Sequence, residues 1–316
     1  MRKSTMRGLT IQSLGKIKTR WVTEALSEIL STFILALFVY ASGAQFLLSE
    51  GWASSATGKA CAAAVGLTIA VYAGMGAAGG SANPNVSIMF CLLGKFKWRK
   101  LPVYIIAEFI GAFLAALVTF YAYGDLINKF DGGVHTISGQ YATAPLFTSF
   151  PHASISHTTG FFDVVIGTAL LTGSIAAITD PNNAGVNKNM IPLIFAPMLF
   201  GILMTFGLQT GAAINTALDL SGRVFVAVFY GPQVFTANDN WAWIPPLGGF
   251  GGSLVGTFLY QLMVGNHLES PKYETQDQEL NVKDDGKTVD LRAYKTANNS
   301  SMSSHDFIST LDGNQY

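Results

Sequence analysis

The sequence predicts an all-helical integral membrane protein of six spanning helices and two short half-helices, arranged as inverted repeats. Only 12% of the 316 residues are charged and half are hydrophobic. Soluble domains carry about 25% charged residues, so this chain has too few to cover a soluble surface. Six stretches approach or exceed the roughly 20 apolar residues that a spanning helix needs. Two shorter apolar segments each begin at an Asn.

The predicted spans follow one another in chain order. They cover residues 22–48, 60–78, 101–123, 161–179, 190–209 and 242–264. The two shorter segments, 86–93 and 216–230, follow Asn83-Pro84-Asn85 (the first box) and Asn215-Thr216-Ala217 (the second box). Short helices at membrane depth are tolerated only where their ends line a water-filled cavity or pack on protein. They therefore indicate a channel or a carrier.

The pattern of elements occurs twice along the chain. Residues 22–122 and 161–264 each contain two spans, an Asn-led short segment and a third span. Because three spans is an odd number, the second copy must be inverted relative to the first. Inverted repeats with broken helices that meet at the midplane are typical of transporters and channels.

Positive charges predict the orientation. Residues 1–20 hold six Lys or Arg and no acidic residue, and residues 95–100 hold four. By the positive-inside rule, both termini should be cytoplasmic. The predicted parts are a basic N-terminus (1–20), a membrane channel domain (21–264) with a first repeat (21–123), an extracellular loop (124–160) and a second repeat (161–264), and a mostly disordered tail (265–316).

The two Asn residues that open the short segments suit a pore. An Asn there lies at the positive end of a helix dipole, and its amide can donate hydrogen bonds. Two such ends meeting head to head would hold a neutral solute briefly and repel a cation. The alternative is that Asn83 and Asn215 are only N-caps. Their equivalent positions in two inverted repeats favour the pore.

These residues resemble the twin Asn-Pro-Ala boxes of the aquaporin family. The resemblance rests on residues 79–87, GGSANPNVS, and 211–219, GAAINTALD, and it extends to segments at 104–113 and 260–269. Asp219 resembles the aspartate that marks the glycerol-conducting branch, the animal-type aquaglyceroporins.

The resemblance implies a homotetramer in the lipid bilayer, with one pore per subunit, through which water and small uncharged solutes flow passively. Glycerol is the first expected solute, with urea or other small polyols as further candidates. No cofactor, metal, nucleic-acid partner or enzymatic activity is expected. The expected location is a cell membrane, with the plasma membrane favoured over an intracellular one.

The sequence departs from the family at the boxes and at the outer selectivity filter. The first box ends in Asn85 instead of Ala, and the second has Thr216 instead of Pro. Like Asn83 and Asn215, both residues are predicted to line the pore. In the family, the filter contains aromatic residues, a small residue and an arginine. Spacing from the boxes predicts an apolar, arginine-free filter and pore lining formed by Ala63, Leu203, Ala212 and Leu218.

Acidic residues within the spans are the remaining candidates for function. Glu28 matches a buried glutamate of the family, which resembles a brace for the pore-loop backbone. Its counterpart in the second repeat is Val164, so one brace is lost unless Asp163 replaces it. Glu108 stands where relatives often carry Gln.

Two readings of function remain open from the sequence. The first is a channel for water and small uncharged solutes. The second is a non-conducting or poorly conducting family member with a structural or assembly role, which the altered boxes and filter would explain. An intramembrane enzyme is disfavoured, because no nucleophile is paired with a histidine inside the spans.

The missing arginine generates a prediction. A guanidinium at this position would orient solute hydroxyls and repel cations, and Leu218 can do neither. We expect the change Leu218→Arg to sharpen solute selection and to lower any cation leak, provided that the space beside Ala63 and Ala212 accepts the side chain. Conductance and solute flux in the same liposomes measure both effects. A wild-type pore as selective as the variant would contradict this account of the filter.

Overall fold

Residues 15, 17–269, 283–284 and 287–288 are described by a computed structural model. The α-helices in this part of the chain are α1 (Arg20–Leu48), α2 (Ala56–Gly74), α3 (Pro84–Leu92), α4 (Leu101–Ala122), α5 (Gly124–Asp131), α6 (His157–Ile178), α7 (Ile191–Thr210), α8 (Thr216–Phe229), α9 (Ala237–Asn240) and α10 (Ile244–Met263). Short 3-10 turns lie at Trp98–Lys100, Ala144–Leu146, Pro232–Phe235, Trp241–Trp243 and Gly265–His267.

Among the described residues, six helices are long and apolar enough to cross a membrane, which confirms the predicted number of spans. Two of them begin four residues earlier than the apolar pattern predicts, because a serine caps each one. The Ser55 hydroxyl accepts a hydrogen bond from the Gly58 N–H, and α2 begins at Ala56. The Ser156 hydroxyl accepts one from the Thr159 N–H, and α6 begins at His157. A polar side chain at the N-cap satisfies a backbone donor that the helix itself leaves free.

The helices pack as two inverted repeats. In the first repeat α1 contacts α2 and α4, and in the second repeat α6 contacts α7 and α10. Helices α2 and α7 join the two halves. Each half-helix packs against the last long helix of the opposite repeat, α3 on α10 and α8 on α4. This exchange draws the N-termini of both half-helices into the centre of the bundle.

Glycines allow the long helices within each repeat to approach closely. A Cβ atom on Gly111 of α4 would overlap the Ile29 carbonyl oxygen of α1. A Cβ atom on Gly256 of α10 would likewise overlap the Ala169 carbonyl oxygen of α6. Small residues at membrane helix contacts let backbones pack closely where the hydrophobic effect gives no drive to associate. A glycine therefore allows close packing at the equivalent helix contact in each repeat.

The connection between α4 and α6, predicted as the extracellular loop, packs onto the bundle. The ring of Phe147 is 99% buried, with its centroid 4.7 Å from that of Phe225 on α8. Nearby, Asp131 accepts a hydrogen bond from the Thr143 hydroxyl at 2.8 Å and lies 3.1 Å from Nδ1 of His135. Burial opposes the ionisation of Asp131, but these contacts outweigh it and hold the pKa of Asp131 below its usual value. The loop is thereby fixed over α8.

Residues 269–316 form a separate unit, of which little is described. Strands β1 (Lys283–Asp284) and β2 (Lys287–Thr288) pair antiparallel, with Lys283 opposite Thr288. The tail predicted as disordered starts at residue 265, and its residues 265–269 are described, with the 3-10 turn at Gly265–His267. Apart from the two strands, the rest of it lies outside the described residues, as does most of the predicted basic N-terminus.

The close contact between α1 and α4 can be tested with a matched pair of variants. Overpacking a tight contact costs about 1–3 kcal/mol, so we expect Gly111→Ala to lower the thermal stability of the detergent-solubilised protein. The control is Gly201→Ala on α7, where a Cβ atom would meet nothing within 4 Å. Equal melting temperatures for the two variants would show that the contact tolerates expansion.

Candidate functional site: two facing half-helices

The half-helices α3 and α8 both begin at an asparagine N-cap. Oδ1 of Asn83 accepts a hydrogen bond from the Asn85 N–H at 3.0 Å. Oδ1 of Asn215 accepts from the N–H groups of Ala217 at 3.1 Å and Leu218 at 3.3 Å. The carbonyl oxygen of each amide therefore serves its own helix, as the N-cap alternative predicts. The amide nitrogens instead bind across the two boxes.

Each asparagine amide nitrogen reaches across to the loop that precedes the other box. Nδ2 of Asn83 donates to the Ile214 carbonyl oxygen at 3.0 Å, and Nδ2 of Asn215 donates to the Ala82 carbonyl oxygen at 2.8 Å. The two bonds are reciprocal and lock the helix N-termini face to face. A side-chain amide carries two hydrogens, and the described residues take one from each. The second hydrogen of each amide has no protein acceptor there.

Two helix N-termini thus converge on one place. Each carries the equivalent of about half a positive charge. The site offers amide donors in a region of positive potential. It can bind the oxygen of a neutral solute and oppose the entry of a cation.

Asn85 and Thr216, which are predicted to line the pore, bind each other in the structure. The side chain of Asn85 is 99% buried and donates from Nδ2 to the Ile214 carbonyl oxygen at 2.9 Å. Its Oδ1 accepts the Thr216 hydroxyl at 2.9 Å. Gly249 of α10 lies against both side chains. Both side chains therefore bind protein atoms of the two boxes and of the loop before the second box.

Glu28 supports the loop before the first box. Its Oε1 accepts the Ser81 N–H at 3.1 Å, and its Oε2 accepts the Ala82 N–H at 2.9 Å. The side chain is fully buried. Ala82 has a positive φ of 47°, a conformation that costs roughly 1–2 kcal/mol for a residue with a Cβ atom. The carboxylate holds the chain in this turn, which carries the carbonyl that Asn215 binds.

The second repeat is supported by different contacts. Val164, at the place equivalent to Glu28, is fully buried against Gly248. Asp163 instead accepts hydrogen bonds from the Gln209 amide at 3.0 Å and the Thr210 hydroxyl at 2.6 Å. Asp163 therefore fixes the end of α7, just before the second box. It accepts hydrogen bonds from side chains, whereas Glu28 accepts them from backbone N–H groups.

Asp219, the residue that resembles the branch marker, joins the outer loop to α8. Its Oδ1 accepts the Thr148 hydroxyl at 3.0 Å and the Ser149 N–H at 2.8 Å, and it lies 3.4 Å from the Arg223 guanidinium. Arg223 is fully buried and also donates to the Ser149 carbonyl oxygen at 2.7 Å. The four-residue spacing of Asp219 and Arg223 is a sequence signal for such a pair. Nothing in the loop sequence identifies Thr148 and Ser149.

Tyr40 makes a further contact that no sequence pattern predicts. Its hydroxyl donates to the Leu218 carbonyl oxygen at 2.8 Å, and its side chain is 98% buried. It holds the first turn of α8 against α1.

The four predicted filter residues lie on separate segments. Ala63 is on α2, Leu203 on α7, Ala212 in the loop before the second box and Leu218 in the first turn of α8. Ala63 and Leu218 are buried, and the other two are half-buried. All four side chains are apolar, so none can donate a hydrogen bond or carry a charge. Arg223, the nearby arginine of α8, binds the Ser149 carbonyl oxygen and Asp219.

Glu108 is the other buried acid near the first half-helix. Its Oε1 accepts the Ser87 hydroxyl of α3 at 2.8 Å. Its Oε2 has no hydrogen-bond partner within the described part of the chain. The hydrogen bond between Ser87 and Glu108 joins α3 to α4.

The two acceptor bonds of Glu28 can be tested by substitution. Leaving a buried N–H unpaired costs about 1–3 kcal/mol. Glu28→Gln keeps one side-chain oxygen as an acceptor, whereas Glu28→Leu removes both. We expect the Leu variant to lose more thermal stability and more flux than the Gln variant. Equal losses in the two variants would show that acceptor capacity at this position is unimportant.

The chain is similar to curated relatives along most of its length. It is 35% identical to human aquaporin-9, over 86% of this chain and 94% of that protein. It is 33% identical to human aquaporin-10, over 81% of this chain and 86% of that protein. Aquaporin-10 of the tardigrade Milnesium tardigradum is 31% identical, over 90% of this chain and 75% of that protein.

The fold also matches a solved structure. The X-ray structure of the aquaglyceroporin from Plasmodium falciparum superposes with a TM-score of 0.70 at 24% identity, covering 78% of this chain and 98% of that one. The family model described as Major intrinsic protein matches residues 16–260. Fold, facing half-helices and relatives agree, and the chain belongs to the major intrinsic protein family.

Proposed function

We propose that this protein is a passive channel for water and small uncharged solutes of the glycerol type. The observation that carries the proposal is the reciprocal pair of bonds between Asn83 and Ile214 and between Asn215 and Ala82. These bonds hold two helix N-termini together and leave one amide hydrogen on each asparagine for a passing solute. The names of the similar proteins, aquaporin-9 and aquaporin-10, support the same function.

We further propose that the outer filter is apolar and lacks arginine. Ala63, Leu203, Ala212 and Leu218 would form it. A hydrated ion would lose its water there without replacement ligands, which is costly. The converging helix ends would add electrostatic opposition to cations. Exclusion of ions would then depend on the central site more than on the filter.

Assembly and location complete the proposal. We infer a homotetramer in a cell membrane, with both termini in the cytoplasm. Family membership supports the tetramer, and the excess of basic residues at 1–20 and 95–100 supports the orientation.

The test is stopped-flow light scattering of proteoliposomes in gradients of glycerol, urea and larger polyols. We expect wild-type vesicles to swell faster with glycerol than protein-free vesicles, without ion conductance. Asn215→Asp keeps the acceptor oxygen of the N-cap, removes the donor to Ala82 and adds an anion. Because that anion cancels the positive potential, we expect this variant to conduct cations. The control is Asn187→Asp, the same chemical change at an exposed position in the connection between α6 and α7.

Wild-type vesicles that swell no faster than protein-free ones with any solute would refute the channel. That result would favour the alternative, a non-conducting family member with a structural role. An Asn215→Asp variant that excludes cations as well as Asn187→Asp does would show that exclusion resides outside the central site.

A further inference from the structure

We propose that Asn85 and Thr216 act as one matched polar pair that positions the two pore asparagines and so sets solute selection. This inference rests on the proposed channel function. It makes both residues positioning residues, because they act through the boxes and not on the solute.

The pair is one hydrogen bond away from the central site. The Ile214 carbonyl oxygen accepts Nδ2 of Asn83 at 3.0 Å and Nδ2 of Asn85 at 2.9 Å. Two amides of the first box therefore hold one carbonyl of the second-box loop. The Thr216 hydroxyl then fixes the orientation of the Asn85 amide by donating to its Oδ1 at 2.9 Å. A rotation of Asn85 would release the carbonyl that determines where Asn83 lies.

The inverted repeat supplies an internal comparison. The pair joins the third residue of the first box to the second residue of the second box. When the two boxes are exchanged, the equivalent positions are the second residue of the first box, Pro84, and the third residue of the second box, Ala217. Both are buried. These two side chains have no hydrogen-bonding atoms. Of these two equivalent pairs of positions, one therefore holds two polar residues and the other holds two apolar residues. Neither pair combines a polar residue with an apolar one.

Helix α10 provides the space for the polar pair. A Cβ atom on Gly249 would lie 2.6 Å from Nδ2 of Asn85 and 3.0 Å from the Thr216 hydroxyl oxygen. The Ser253 hydroxyl donates to the Asn85 carbonyl oxygen at 3.0 Å. A side chain at position 249 would therefore push into the pair, and the absence of one allows the pair to form.

Matched pairing has a consequence for mutants. Asn85→Ala leaves the Thr216 hydroxyl without its acceptor, and Thr216→Pro leaves Oδ1 of Asn85 without its donor. Buried polar atoms without partners are destabilising. The double variant Asn85→Ala/Thr216→Pro has no such atom and reproduces the apolar type of pair that Pro84 and Ala217 represent. Proline at 216 suits the first position of a helix, as Pro84 does in α3.

The experiment is a double-mutant cycle on the full chain in proteoliposomes. The ratio of glycerol to urea permeability is measured for the wild type, both single variants and the double variant, together with the unfolding temperature of each in detergent. Coupling energies between contacting residues correspond to factors from about twofold to over a hundredfold. We expect each single variant to shift the permeability ratio by about threefold or more, and the double variant to return within about twofold of the wild type.

A second pair of variants tests the space beside the pair. We expect Gly249→Ala to shift the permeability ratio, as Asn85→Ala and Thr216→Pro each do. The control is Gly251→Ala on the same helix, where the nearest atom to a new Cβ would be an ordinary 3.6 Å away.

Additive effects in the cycle would overturn the pairing. A permeability ratio that is constant across all variants, with changes only in unfolding temperature, would overturn the positioning role. If the wild type carries neither solute, the proposed function and the selectivity role both fail. In that case the unfolding temperatures of the four proteins still test the pairing. Coupled shifts in unfolding temperature would support the pairing, and additive shifts would overturn it.

Discussion

The reciprocal amide bonds across the two boxes are the contact on which the rest of the structure depends. A half-helix that ends in the middle of a membrane protein leaves backbone donors unsatisfied, and its dipole end repels another end of the same sign. Asn83 and Asn215 answer both problems. Each oxygen caps its own helix and each nitrogen binds the opposite loop. The positive ends are then held facing one another, with the N–H groups of Asn85, Ala217 and Leu218 capped.

The surrounding contacts hold the carbonyls that the asparagines bind. Glu28 fixes the turn at Ala82 through two backbone N–H groups. Asp163 holds the end of α7 before the second box. Asp219 anchors the outer loop to α8. The two repeats therefore share a geometry but reach it with different chemistry. The first repeat uses a buried acid on the loop backbone, and the second uses side-chain contacts and the outer loop.

The large features of this fold follow from patterns that the sequence displays directly. Six apolar stretches fix the number of spans, and two Asn-led segments at equivalent places in a doubled pattern predict the facing half-helices. The early starts of α2 and α6 were also open to prediction, because Ser55 and Ser156 are N-cap residues.

The finer contacts depend on how two distant segments are rotated against each other. Asn85 and Thr216 are 131 residues apart, and no periodicity brings them together. Their places in the boxes predict that both line the pore, and the bond between them is visible only in the structure, where Asn85 is buried. Thr148 and Ser149 reach Asp219 from a loop, where side-chain direction has no regular repeat. The composition of the outer filter stays a prediction from spacing.

The most direct test of this account is a cryo-electron microscopy structure of the purified channel, at a resolution that separates side-chain amides from their neighbours. The account predicts that Nδ2 of Asn83 and Nδ2 of Asn215 each lie within hydrogen-bonding distance of the opposite loop, at the carbonyl oxygens of Ile214 and Ala82. Density showing either amide turned away, towards lipid or into its own repeat, would contradict it.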